Sequence, residues 1–124
     1  MSIKFDVSED GLRIDTFPKG VLKIEQVIEY FGNLSNDNRI NPGAVEIIHF
    51  KDVTDFKITY SESEIIASSF QEPKSLLHID TTVFVCESDL AFGIGRMLQV
   101  LNEIKNPNSK IRVVRSESEM EKYL

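Results

Sequence analysis

Asp52 and Asp55 stand just past an apolar run (Val45, Ile47, Ile48 and Phe50), where paired carboxylates could serve as acid and base or hold a cation. The expected role is plainer: an aspartate in a strand-to-helix turn bonds nearby backbone amides. His49 and His78 each lie among apolar residues with no second His or Cys at ligand spacing, so both are expected to be structural or partly exposed histidines. Cys86 closes an apolar run with no base beside it and is expected to be an inert core residue. Gly93 and Gly95 form a Gly-x-Gly, but they fall inside a helical pattern rather than between strand and helix, which excludes a dinucleotide loop. Small residues there admit a close neighbour, whether a strand, another helix or a partner chain. Arg96, one turn along from Phe92, has the chemistry to grip an anionic ligand or a partner carboxylate; a surface ion pair is its plainer role. No catalytic constellation, metal-ligand cluster or cofactor motif emerges, so the chain is not expected to be an enzyme.

These residues need elements to position them. Thr82-Val83-Phe84-Val85-Cys86 has the continuous apolar character of a strand covered on both faces. Ser88 and Asp89 open a helix in which Leu90, Ile94, Met97, Leu98, Leu101 and Ile104 recur at helical spacing up to Asn106-Pro107. Upstream, Ile3, Phe5 and Val7, then Leu12, Ile14 and Thr16, alternate around Glu9-Asp10-Gly11, a hairpin signature. Phe17-Pro18-Lys19-Gly20 breaks that pattern. From Val21 the spacing of Ile24, Val27, Ile28, Phe31 and Leu34 predicts a first helix. A polar connection over 35–43 leads to the strand containing Val45 to Phe50, then to a turn over 51–55. Ser61 and Glu64 have capping-box spacing and open a second helix carried by Ile65, Ile66, Ser69 and Phe70 to Pro73. Ile111, Val113 and Val114 form a last strand, and Ser116 with Glu119 caps a short final helix ending at Met120 and Leu124.

The predicted order is β-β-α-β-α-β-α-β-α: an α/β fold with a mixed sheet of about five strands, helices packed on it, and the hairpin supplying an antiparallel edge. Sites in such sheets gather outside the carboxyl ends of the strands, here 51–61 and 87–96.

Size and charge narrow the function. With 124 residues the chain supports one domain, 1–124. Its 41% hydrophobic and 27% charged residues are ordinary for a globular protein. A formal charge of −6 repels phosphate backbones and anionic membranes, so nucleic acid is not an expected partner. One cysteine precludes an internal disulfide, and the charged, alternating first residues resemble neither a signal segment nor a membrane span. A cytoplasmic location is the expectation.

Four stretches together resemble a known family: Ile40-Asn41-Pro42-Gly43 before an apolar strand, Lys51-Asp52-Val53-Thr54 after it, Asp89-Leu90-Ala91-Phe92-Gly93-Ile94-Gly95-Arg96-Met97, and the closing strand and helix over 113–124. They are similar to the SpoIIAA-like group of STAS-related proteins, STAS denoting sulfate transporter and anti-sigma-factor antagonist. The resemblance runs from about Thr16 onward. It implies a four- or five-stranded sheet with helices, in small, mostly cytoplasmic bacterial proteins without established activity, and a fold similar to that of CRAL-TRIO lipid carriers. STAS antagonists are phosphorylated on a serine in an Asp-Ser-Ser-Gly-like turn. The corresponding region here has no Asp-Ser pair and no glycine; it offers Ser61 and Ser63, where Glu62 and Glu64 oppose a phosphate.

The function expected is therefore a non-enzymatic interaction or regulatory domain that engages a protein partner or itself near Phe92, Gly93, Gly95 and Arg96, with Asp52 and Asp55 as further candidate partner- or ligand-binding residues, without cofactor or metal. The alternative is a carrier of a small apolar ligand or lipid, with a pocket between sheet and helices. Volume discriminates the two, because a carrier needs several hundred Å³.

Overall fold

Alternation at the start of the chain does build a hairpin: β1 (Lys4–Val7) and β2 (Arg13–Phe17) pair antiparallel, with Phe5 opposite Thr16 and Val7 opposite Ile14. The computed structural model describes residues 3–69, 79–105 and 110–124. Gly11 turns the hairpin at φ 71°, and a Cβ there would lie 2.3 Å from the Arg39 carbonyl oxygen. The polar connection after the first helix closes on this turn: Asn41 donates from its backbone to Gly11 O at 2.8 Å and from Nδ2 to Asp10 O at 2.7 Å.

The main sheet has the order β1-β2-β4-β6-β7, where β4 is Ala44–His49, β6 is Ile79–Val85 and β7 is Ile111–Val114. All neighbours after the hairpin are parallel, so β1 is the antiparallel edge and the apolar β6 lies between β4 and β7, as its composition requires.

Two strands were not expected. β3 (Lys19–Lys23) and β5 (Asp52–Lys57) pair parallel as a separate ribbon. In β3 the stripe beginning at Val21 is misleading: Leu22 is buried and Val21 exposed, a strand alternation, and helix α1 (Ile24–Ser35) starts only at Ile24. Gln26 accepts from the Lys23 amide at 2.9 Å to close its first turn. In β5 the register slips by one residue, Gly20 facing Val53 and Val21 facing Asp55. This bulge brings both Val53 and Phe56 against the core and disguises the period of two.

Helix α2 (Tyr60–Ser69) opens two residues earlier than Ser61 and Glu64 suggest. Thr59 and Glu62 make the reciprocal box, Glu62 N donating to Thr59 Oγ1 at 3.1 Å and Thr59 N to Glu62 Oε1 at 2.9 Å. That start sets Ser63 and Ile66 inward. Its expected end at Phe70 and Pro73 lies outside the described residues, as do His78 and the stop at Asn106-Pro107. Helix α3 (Asp89–Lys105) is capped by Ser88, whose Oγ accepts from Ala91 N at 3.1 Å; α4 (Glu117–Met120) is capped by Ser116 and runs into a 3-10 turn, Glu121–Tyr123. One face of the sheet carries the large core with α1, α2, α3 and the ribbon. The other carries a smaller cluster in which Met120 covers Ile47, Val83, Val85 and Val114.

Candidate functional site

The residues singled out from the sequence do not converge. Asp52 and Asp55 lie within β5 rather than in a strand-to-helix turn; both are exposed, and Asp55 Oδ1 accepts from the neighbouring Phe56 amide at 2.8 Å. Ser61 is exposed on α2, whereas Ser63 is fully buried and donates to Thr59 O at 3.1 Å, out of reach of a kinase in the folded domain. Cys86 is buried on β6's core side, and burial pushes its thiol up to about 12, which keeps it protonated. Arg96 is tied within its own helix, Nη1 donating to Gln99 Oε1 at 2.6 Å, while Gln99 Nε2 donates to Ile111 O of β7 at 2.9 Å. Phe92 lies half-buried beneath Arg115, whose guanidinium carbon is 4.7 Å from the ring centroid and whose Nη2 donates to Asp89 Oδ1 at 2.8 Å.

The two glycines separate. A Cβ on Gly95 would lie 3.1 Å from Cys86 Sγ and 3.2 Å from Val113 Cγ1, so this glycine seats α3 on the sheet. A Cβ on Gly93 meets nothing within 4 Å, so the close neighbour expected there is not a part of this chain among the described residues. Gly93→Ala should accordingly leave the fold intact and stabilise it by up to about 1 kcal/mol through helix propensity; chemical denaturation measures this, and a clear loss would reveal a contact at that position.

Around Gly93 the outer side of α3 is apolar. Leu90, Val100 and Ile104 are 52%, 45% and 73% exposed, and Met97 is half-exposed. Positions 90, 93, 97, 100 and 104 follow alternating steps of three and four, which confines them to less than a quarter of the helix circumference. The stripe is nearly symmetric about Met97.

Two polar clusters escaped the sequence. Glu46, in the middle of β4, is fully buried on the core face: Tyr30 Oη of α1 donates to its Oε2, Thr82 Oγ1 of β6 donates to Oε1 at 2.8 Å, and Thr16 Oγ1 of β2 lies 2.8 Å from Tyr30 Oη. Burial pushes the Glu46 carboxyl upward against these hydrogen bonds, and burial together with the adjacent carboxylate pushes the Tyr30 phenol well above its ordinary value. The signal was a single glutamate inside the run from Ala44 to Phe50. On the opposite face His49 Nε2 lies 2.9 Å from Asp15 Oδ1 and Nδ1 lies 3.0 Å from Glu117 Oε1, with Phe17 stacked on the ring at 4.9 Å. Burial, which pushes Asp15 up, is outweighed by hydrogen bonds from Arg13 and His49 that hold it below the usual carboxylate range.

An apolar cavity of about 50 Å³ lies between the main sheet, the ribbon and the helices, lined among others by Leu22, Phe31, Phe56, Ile66, Phe84 and Leu98. Tyr30 and Thr16 also border it, but their hydroxyls are engaged with one another and Glu46. No group of three or more His, Cys, Asp or Glu side chains able to hold a metal ion occurs among the described residues, and no described helix is long and apolar enough to cross a membrane.

This architecture defines an α/β domain with a SpoIIAA-like fold. The crystal structure of an uncharacterized protein of the DUF3478 family with a SpoIIAA-like fold, from Shewanella loihica PV-4, is similar over 98% of this chain and 91% of that one, with a TM-score of 0.57 and 11% sequence identity. No protein-family model and no curated protein matches the sequence.

Proposed function

We propose that the protein is a non-enzymatic interaction domain that pairs with a second copy of itself through the outer stripe of α3. The observation carrying this is the near-palindrome about Met97. An antiparallel approach of two α3 helices places Leu90 of each across from Ile104 of the other, Gly93 across from Val100, and Met97 across from Met97. Gly93 then has a use, because a residue without a side chain lets the facing helix come close. Net charge of −6 on each copy opposes association at long range, so pairing should tighten as salt rises.

Sedimentation velocity tests this. The expected result is a reversible dimer, converted to monomer by Met97→Lys and weakened at least tenfold by Gly93→Leu, with the melting temperature of dilute protein not lowered in the latter. A wild-type monomer at high micromolar concentration, or a dimer indifferent to Met97→Lys, would overturn the proposal. The cavity argues against the carrier alternative: about 50 Å³ is far below the roughly 300–1,000 Å³ of ligand pockets. A native mass spectrum should accordingly contain no co-purified ligand.

A further inference from the structure

We infer that His49 is a proton-operated latch that holds the C-terminal helix α4 against the second face of the sheet. The imidazole joins elements far apart in sequence. Asp15 on β2 faces one ring nitrogen and Glu117 on α4 faces the other, and both are carboxylates, which only accept hydrogen bonds. Only the doubly protonated ring has a donor for each. A neutral ring has one N–H, so one carboxylate is left facing a lone pair.

The neighbouring groups decide which carboxylate lets go. Asp15 is fixed by Arg13, whose Nε donates to Oδ2 at 2.8 Å and Nη2 to Oδ1 at 3.1 Å, and it is part-buried in the strand. Glu117 is half-exposed, with 51% of its side chain accessible, and sits on a helix of four residues. Glu121 on the following turn faces Arg13 and adds negative charge on the α4 side. From β6, Val85 stands opposite His49 in the register and brings no charge. Phe17 fixes the ring plane by stacking, so the imidazole cannot turn to follow Glu117. On loss of the proton the remaining N–H therefore stays with Asp15, and Glu117 is released. The hold of α4 is then reduced to the buried Met120 and the longer-range attraction of Glu117 and Glu121 to Arg13, and beneath Met120 lies the apolar cluster of Ile47, Val83, Val85 and Val114.

Amide hydrogen exchange of the full chain tests the latch. After correction for intrinsic rates, protection of the Glu119 and Met120 amides, which donate to Ser116, should fall about tenfold or more from pH 5 to pH 8 relative to β6 amides. In Glu117→Gln, a surface change that leaves the core untouched, that pH dependence should vanish. Wild-type protection that is flat across the range, or a pH dependence that persists unchanged in Glu117→Gln, would overturn the inference.

Discussion

Gly95→Leu should lower the unfolding free energy by about 3 kcal/mol or more, a fall in melting temperature of roughly 10 °C in a domain of this size. The expectation follows from where the glycine lies. A Cβ at this position already approaches Cys86 Sγ at 3.1 Å, Val113 Cγ1 at 3.2 Å and Phe84 Cδ2 at 3.6 Å, so three further carbons have no space unless α3 rises off the sheet. Raising α3 would also part Ala91, Leu98 and Leu101 from their buried surroundings. Overpacking of this kind displaces backbone as well as side chains, because the sheet beneath is held by parallel pairing on both sides of β6. Gly93→Leu, two residues away on the same helix with no neighbour outside its own helix turn within 4 Å of its Cβ position among the described residues, is the internal control and should shift stability of the dilute protein by no more than about 1 kcal/mol. Thermal melts of the two variants side by side decide the matter. Equal melting temperatures would mean that Gly95 does not set the spacing between helix and sheet.

The difference between these glycines marks the limit of what the sequence discloses. Helical spacing placed both in α3, and their smallness announced a close neighbour, but which of the two meets the sheet depends on the rotation of the helix. Leu90 and Ile104, assigned to the inner stripe with Ile94 and Leu98, lie outside it, while Ala91 and the polar Gln99 and Asn102 are buried in their place. The main sheet was legible because its strands repeat at period two or are apolar throughout. The ribbon was not: the bulge in β5 spaces Val53 and Phe56 three apart, and β3 merges into the helical periodicity of α1. The polar clusters were hidden for another reason. Tyr30, Glu46 and Thr82 come from three separate elements, and Asp15, His49 and Glu117 span 102 positions, so only the strand order β2-β4-β6 brings them together.

Glu46 carries the second large effect, and its sign differs between substitutions. The folded state raises the carboxyl above the ordinary glutamate value of about 4.3, chiefly by burial, with Tyr30 and Thr82 opposing. A group raised on folding contributes stability that is complete below its unfolded value and is lost as pH climbs through the folded one. The wild-type protein therefore gains stability from Glu46 on acidification and forgoes it towards neutral pH. Glu46→Gln keeps the shape and the acceptor for Thr82, and its amide donates to Tyr30 Oη as the protonated acid would, with no proton to lose. At pH 7 to 8 this variant should equal or exceed the wild type in stability, and the difference should shrink or reverse towards pH 4. Glu46→Ala should instead destabilise by about 2–4 kcal/mol at every pH, because it leaves a void and strands Tyr30 Oη and Thr82 Oγ1 without their acceptor. Subtracting variant from wild type at each pH isolates Glu46 from the surface carboxylates, whose acid sensitivity is common to both. Urea denaturation from pH 4 to 8 measures the three curves. A wild-type curve parallel to that of Glu46→Gln throughout would mean that the carboxyl titrates alike in folded and unfolded chains. Tyr30, bonded to it from α1, would then be a fixed tether rather than a partner whose hold changes with pH.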